Sequence, residues 1–133
     1  MTTAPRVVDA SALVALLSDA GADGRWATGQ LDRHDLVAPA LGAFEAANVL
    51  RRGEAAGRLS AAAALAAHEA LLDLPVQWWP YAPLAARAWA LRANVSVYDA
   101  AYVALAELVG GPLITLDRRL ARAPGLRCQV VTP

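Results

Sequence analysis

RVVDASALVALL, residues 6–17, joins a run of β-branched residues to an apolar segment and places an acid, Asp9, at the junction. The start of the stretch predicts a short buried strand, and the spacing of the apolar residues after Ser11 predicts a helix. An ionised carboxylate beside a hydrophobic core is costly unless something pairs with it. Asp9 therefore either caps the helix or holds a cation, and the rest of the chain must decide between the two.

The alternation of strands and helices continues along the chain. Four further strands are predicted, at LVAP (36–39), VQWW (76–79), PLITL (112–116) and CQVV (128–131). The segments between them predict helices: one over residues 40–57, one that begins after Ser60 and stops at Pro75, and two over residues 81–94 and 97–110. We therefore expect a single domain over residues 1–133 with an α/β fold, in which a mainly parallel sheet carries helices on both faces.

Composition excludes several classes of protein. A hydrophobic fraction of 57%, with 18% charged residues, argues against disorder. No apolar run reaches the roughly 18 residues of a membrane span. The single cysteine, Cys128, excludes an internal disulfide and fits a cytoplasmic protein. Twelve arginines balance twelve acids and lysine is absent. Any contact with nucleic acid must therefore come from local patches.

Four acids share an unusual setting. Asp9 and Asp117 each follow a β-branched run and precede a helix, and the carboxyl ends of parallel strands meet at one edge of the sheet, where ligands bind. Glu45, in GAFEAANVL, and Asp99, in VYDAAYVALAEL, each lie in apolar surroundings near the start of a helix. Capping explains either strand-end acid taken alone about as well as ligand binding does.

Four converging carboxylates would repel one another by several kcal/mol in surroundings of low dielectric constant. A divalent cation removes that repulsion. Carboxylate oxygens suit Mg²⁺ or Mn²⁺, which completes its coordination with waters and a phosphate oxygen. A cation that holds a phosphodiester and activates water supports hydrolysis. The acids therefore predict a site for metal-assisted cleavage of phosphodiesters.

These segments resemble the PIN-domain ribonucleases of the VapC type, the toxins of type II toxin–antitoxin pairs. The matching pieces are VVDASALVALL, APALGAFEAANVLRRG, SVYDAAYVALAE and LITLDRRL, which stand in the family's order and cover essentially the whole chain. The resemblance implies a three-layer α/β/α PIN-like fold, an acidic pocket that binds Mg²⁺ or Mn²⁺, and cleavage of RNA. It also implies a VapB-like antitoxin as partner and a homodimer.

Position by position, the resemblance assigns the catalytic and metal-binding acids to Asp9, Glu45, Asp99 and Asp117. Asp9 and Asp99 are the expected direct ligands, and the other two would act directly or through water. Ser11 matches the family's small hydroxyl residue two positions after its first aspartate and would orient a carboxylate or a water.

Further residues are expected to support the acids or to meet the substrate. Thr115 precedes Asp117 by two residues and would hold it in place, and Asn48 shares a helix face with Glu45. Arginines could flank the pocket and bind RNA phosphates. The candidates are Arg51, Arg52, Arg118, Arg119 and Arg122. For any one of them, a solvent-exposed helix face is the simpler interpretation. The four tryptophans are expected in the core or an interface rather than stacked on bases.

Other acid-pocket classes fit less well. A phosphoacceptor receiver domain needs a lysine, which the chain lacks. A haloacid-dehalogenase-type phosphatase needs a second aspartate where this chain has Ser11. A catalytically inactive PIN-like module that only binds protein or RNA remains the alternative, although such a module gains nothing from four acids that repel one another.

Overall fold

Five short strands form one parallel sheet in the computed structural model, which describes residues 3–133. The strands are β1 (Arg6–Val8), β2 (Leu36–Pro39), β3 (Val76–Trp79), β4 (Leu113–Ile114) and β5 (Val130–Val131). Their order across the sheet is β3-β2-β1-β4-β5, and every neighbouring pair is parallel. The predicted parallel sheet is confirmed. β4 is shorter than predicted because the amides of Leu116 and Asp117 leave the ladder and bond to side-chain hydroxyls.

The helices follow the predicted order. They are α1 (Ala10–Ser18), α2 (Ala22–Leu31), α3 (Leu41–Ala55), α4 (Ala61–Asp73), α5 (Ala85–Ala90), α6 (Val97–Val109) and α7 (Arg118–Ala121). The helix predicted over residues 81–94 is instead a 3₁₀ turn at Ala82–Leu84 followed by the short α5. It ends early because the amide of the buried Leu91 bonds the carbonyls of both Arg87 and Ala88, which tightens the chain into turns.

Helices cover both faces of the sheet, which gives the predicted three-layer α/β/α arrangement. α1 packs on α2, α3 and α4, while α6 packs on α5 and on β1, β2 and β4. Val7, Val8, Leu113 and Ile114, from the two central strands, are fully buried. Residues 100–106 of α6 are all buried as well. α6 is therefore fixed against the middle of the sheet, and so is the acid in its first turn.

The order of the strands reverses at β1. The chain runs outward through β2 and β3 and then returns to the other side of β1 for β4 and β5. The crevice at the carboxyl ends of β1 and β4 is therefore the topological switch point, where open parallel sheets bind their ligands. Asp9 directly follows β1, and Asp117 lies just beyond β4.

Large apolar side chains lie both inside and outside the core. Trp26, Trp78 and Trp79 pack against it, whereas Trp89 is 60% exposed and carries the guanidinium of Arg92 over its ring. Over residues 3–133, none of the helices has the length and apolar character needed to cross a membrane.

Candidate active site

Asp9 is held at the end of β1 by three hydrogen bonds. Its Oδ1 accepts from the amide of Ala12 at 3.0 Å and from the hydroxyl of Ser11 at 2.6 Å, and its Oδ2 accepts from the hydroxyl of Thr115. Burial raises the pKa of Asp9, the three hydrogen bonds oppose that rise, and the charge of Asp99 adds to it. Asp9 does cap α1, but capping needs only the Ala12 bond. The two hydroxyls fix the carboxylate more tightly than a cap requires.

The same two hydroxyls connect the ends of β1 and β4. Thr115 is completely buried, and its Oγ1 accepts the amide of Asp117 at 3.0 Å. The hydroxyl of Ser11 accepts the amide of Leu116 at 3.0 Å. Each hydroxyl donates to Asp9 and accepts from the segment beyond β4, so the two strand ends are locked in one register.

Glu45 lies in α3 and meets α6 at a single hydrogen-bond donor. Its Oε1 accepts from the hydroxyl of Tyr102 at 2.6 Å. Burial raises the pKa of Glu45, the Tyr102 bond opposes the rise, and the charges of Asp99 and Asp9 add to it. The carboxylate is therefore partly desolvated and lies within electrostatic reach of two other acids.

Asp99 stands in the first turn of α6, where its amide bonds the hydroxyl of Ser96. Burial raises the pKa of Asp99, and the charge of Asp117 raises it further. Asp99 and Asp117 line one cavity of about 260 Å³ together with Arg119 and Arg122. This cavity opens the acidic region to solvent.

Asp117 has a different environment from the other three acids. Its Oδ1 accepts the amide of Arg119 at 3.0 Å, which caps α7, and the guanidinium of the same residue lies 3.3 Å away. The Arg119 hydrogen bond lowers the pKa of Asp117 despite some burial. Asp117 thus already has a positive partner from the chain.

The structure brings the four acids into one electrostatic neighbourhood. The charge of Asp99 raises the pKa of Asp9, and the charges of both raise the pKa of Glu45. The charge of Asp117 raises the pKa of Asp99. Within residues 3–133, no three of the acids, histidines or cysteines are close enough together to enclose a metal ion. Magnesium commonly takes only one or two protein carboxylates and keeps its waters. Oxygen donors whose negative charges raise one another's pKa are therefore a donor set that fits such an ion.

The other predicted contact residues differ in their placement. Asn48 does not support an acid as expected, because α3 turns it outward and its Oδ1 accepts from Nε of Arg51 at 2.9 Å. Arg52 and Arg118 are exposed, and Arg119 is paired with Asp117.

Sequence reasoning missed Tyr102. This residue is 2% exposed and bonds Glu45 across the interface of α6 and α3. Its spacing of three residues from Asp99 placed it on the same helix face. The apolar character of that face favoured a core tyrosine, and only the folded chain brings its hydroxyl to Glu45.

The parallel sheet, with carboxylates at its switch point, defines the class as an α/β protein whose candidate ligand site lies at the carboxyl ends of its strands. The model for the PIN domain family matches residues 6–126. Ribonuclease VapC1 of Mycobacterium tuberculosis is 42% identical over 125 residues, which cover 93% of this chain and 94% of the relative. The chain belongs to the PIN-domain family and groups with its VapC ribonucleases.

Solved structures agree with that assignment. The crystal structure of PAE2754 from Pyrobaculum aerophilum superposes with a TM-score of 0.72 at 27% identity, covering 96% of this chain and 83% of the other. VapC20 of Mycobacterium tuberculosis, a toxin that cleaves the sarcin–ricin loop, gives a TM-score of 0.68 at 21% identity and covers 96% and 99% of the two chains. The second likeness concerns the fold alone.

Proposed function

We propose that this protein is a Mg²⁺- or Mn²⁺-dependent endoribonuclease, the toxin of a type II toxin–antitoxin pair. The observation that carries the proposal is the group of three acids with raised pKa values at the switch point: Asp9, Glu45 and Asp99. The chain's relatives in sequence are named as ribonucleases. Acids that a fold leaves desolvated and mutually repelling in one crevice are typical of a functional site.

The chain's own residues would hold and orient the reacting groups. Asp9 and Asp99 would bind the cation directly, with Glu45 and Asp117 acting directly or through water. Bound there, Mg²⁺ or Mn²⁺ would supply a nucleophilic water at neutral pH and neutralise charge that develops on the phosphate. Asp9 stays in a single orientation because Ser11 and Thr115 each donate to one of its oxygens.

RNA phosphates would meet the exposed arginines beside this crevice. Arg118, Arg119 and Arg122 follow Asp117 directly, and Arg51 and Arg52 extend along α3 beyond Glu45. Arg119 can exchange its contact with Asp117 for a phosphate, because an exposed ion pair contributes little free energy. Water attacks the phosphodiester in line, so the products carry 5′-phosphate and 3′-hydroxyl ends.

The test is cleavage of transfer, ribosomal and messenger RNA by purified, antitoxin-free protein with Mg²⁺, Mn²⁺ or EDTA. Asp9→Asn and Asp99→Asn should abolish cleavage while the proteins stay folded. Asp73→Asn, an exposed position at the end of α4, is the matched control and should cut as the wild type does. Products with 2′,3′-cyclic phosphates would contradict water attack. A wild type that neither binds metal nor cuts any RNA would make the binding module the better interpretation.

We also propose that a VapB-like antitoxin inhibits the enzyme, and that part of the antitoxin is anchored in an apolar groove of the helical layer. A groove of about 460 Å³ lies between α1 and α4 and is lined mostly by leucines and alanines. This groove is larger than the cavity of about 260 Å³ beside Asp99 and Asp117. A large apolar groove suits a protein segment, because the core of a protein interface buries apolar area. Ala63→Glu, in the groove lining, should weaken inhibition of RNA cleavage by the antitoxin. Ala62→Glu, exposed and not part of that lining, is its control.

A homodimer in the cytoplasm completes the proposal. Several large apolar side chains are exposed in the single chain, and burying them against a second copy would be favourable. They are Phe44, Leu65, Leu72, Tyr81, Trp89, Tyr98 and Leu108. Sedimentation equilibrium of the antitoxin-free protein should give twice the chain mass, and a monomer at micromolar concentration would contradict the dimer.

A further inference from the structure

Within residues 3–133, Tyr102 is the side chain outside the predicted set that donates to the carboxylate of a candidate catalytic acid. It is 2% exposed, and its hydroxyl donates to Glu45 Oε1 at 2.6 Å. The bond connects two helices that approach the acidic crevice from different parts of the chain, 57 residues apart. Three donors fix the Asp9 carboxylate, whereas among residues 3–133 the Glu45 carboxylate accepts only from this phenol.

Gly42 makes room for the phenol. It lies one helical turn before Glu45 in α3, and a Cβ at this position would be 3.1 Å from the Tyr102 hydroxyl and 3.2 Å from Cζ3 of Trp78. Gly42 is buried in the first turn of α3, and these two short distances point to a packing requirement at the position. The requirement here is the space that the hydroxyl needs to reach the carboxylate.

The phenol remains a donor over the whole physiological range of pH. A tyrosine hydroxyl ordinarily loses its proton only near pH 10, well above that range. A neutral phenol donates one hydrogen bond, and Glu45 Oε1 accepts it. The bond removes rotational freedom from a long side chain that would otherwise sample several rotamers.

We propose that Tyr102 is a positioning residue that fixes the Glu45 carboxylate toward the divalent cation, and that Gly42 preserves the space this contact needs. The inference rests on the proposed metal-dependent activity. Tyr102 does not touch the substrate in this scheme. It acts through Glu45, whose second oxygen, Oε2, is left for the ligand. A carboxylate that is already held in the binding orientation binds a cation more tightly, because less conformational entropy is lost when the cation binds.

Tyr102→Phe removes only the hydroxyl and keeps the buried ring. We expect kcat for RNA to fall about tenfold, the loss of one hydrogen bond to a charged group, with KM nearly unchanged. Mn²⁺ affinity, measured by electron paramagnetic resonance of the free ion, should fall several-fold. Crystal structures of the metal-free proteins should show one Glu45 conformation in the wild type and more than one in the variant. Thr28→Val, which removes a hydroxyl that bonds the carbonyl of Gly24 within α2, is the control and should change none of these.

Gly42→Ala tests the space requirement. The added methyl crowds the hydroxyl, so kcat should fall as in Tyr102→Phe. In the Tyr102→Phe background the hydroxyl is already gone, and Gly42→Ala should then cost much less. An undiminished loss in that background would mean that the methyl acts on Trp78 alone, and it would overturn the role given to Gly42.

The three measurements separate this inference from the proposed function. If wild type cuts no RNA but Tyr102→Phe still frees Glu45 and weakens Mn²⁺ binding, the nuclease proposal fails and the positioning role stands. If wild type cuts RNA and Tyr102→Phe matches it in kcat, Mn²⁺ affinity and Glu45 conformation, the positioning role is overturned and the nuclease proposal stands.

Discussion

The two ends of α6 carry acids that the fold treats in opposite ways. Glu107, near the carboxyl end, accepts from Arg87 at 2.6 and 3.2 Å and from the amide of Arg127 at 2.8 Å. Burial alone would raise the pKa of Glu107, but these donors and the two positive charges lower it. Burial and the charge of Asp117 raise the pKa of Asp99, in the first turn, and the hydroxyl of Ser96 and the charge of Arg119 oppose that rise without cancelling it.

The difference separates an acid with a structural partner from the proposed metal ligand. At Glu107 the chain supplies the positive partner, and Arg87 also bonds the carbonyl of Gly125, which fastens the C-terminal segment to α5 and α6. Among residues 3–133, no cationic side chain forms an ion pair with Asp99, and Arg119 acts on it only through its charge. A desolvated acid without a partner is unfavourable for folding, so its presence indicates a ligand from outside.

The largest expected effect is on RNA cleavage. Asp99→Asn should lower kcat/KM at least about a hundredfold, because it removes a charge that would hold the proposed cation. Glu107→Gln should leave it within about twofold, because the two positions share no partner. Initial rates with saturating Mn²⁺ measure both. Equal losses in the two variants would show that α6 matters to activity only through its stability.

Stability should show the reverse order. Glu107→Gln should lower the free energy of unfolding by about 2 kcal/mol, because the amide has no negative charge and replaces one of the two acceptor oxygens with an N–H donor. Asp99→Asn should raise it in metal-free protein by less than about 1 kcal/mol, because a half-buried charge is only partly desolvated. Urea unfolding at pH 7 in EDTA provides both values. A clear destabilisation by Asp99→Asn would mean that its charge has a partner in the fold.

The pH dependence of unfolding should have opposite signs at the two ends. The lowered pKa of Glu107 gives stability that is present above its unfolded value of 4.5 and is lost as the pH falls through the folded value. Glu107→Gln should therefore flatten the acid limb. The raised pKa of Asp99 favours folding when it is protonated, so its cost appears as the pH rises from 3.8 through the folded value.

The Asp99→Asn variant should accordingly have a higher free energy of unfolding than the wild type above the folded pKa of Asp99, and no such advantage below pH 3.8. Urea titrations from pH 3 to pH 8 in EDTA measure both variants against the wild type. Parallel curves for the three proteins would contradict the assigned shifts.

The smallest expected effect concerns arginines near the two ends. Arg118→Gln, beside the acidic crevice, should raise KM for RNA about threefold and reduce the salt dependence of binding by about one counterion. Arg127→Gln is matched in charge and exposure but lies at the Glu107 end, where its amide bonds Glu107 and its charge acts on the same carboxylate. It should leave the salt dependence unchanged. Equal slopes for the two variants would place the RNA elsewhere.

The sequence by itself determined the order of strands and helices, the parallel sheet and the location of four acids at strand ends and helix starts. These features depend on local periodicity and on β-branched runs, which read the same in any context. The first and last acids look alike at this level, because RVVDAS and LITLDRRL share one pattern, and both acids do cap the helices that follow.

Only the tertiary structure decided how each acid is held. Asp9 accepts a hydrogen bond from Thr115, 106 residues away, and Glu45 accepts one from Tyr102, 57 residues away. Asp117 instead forms an ion pair with Arg119, two residues further along the chain. Asn48 shares the helix of Glu45 yet turns to Arg51. Burial and partners depend on which distant segments pack together, and the charge state of a carboxylate follows from burial and partners rather than from its neighbours in the chain.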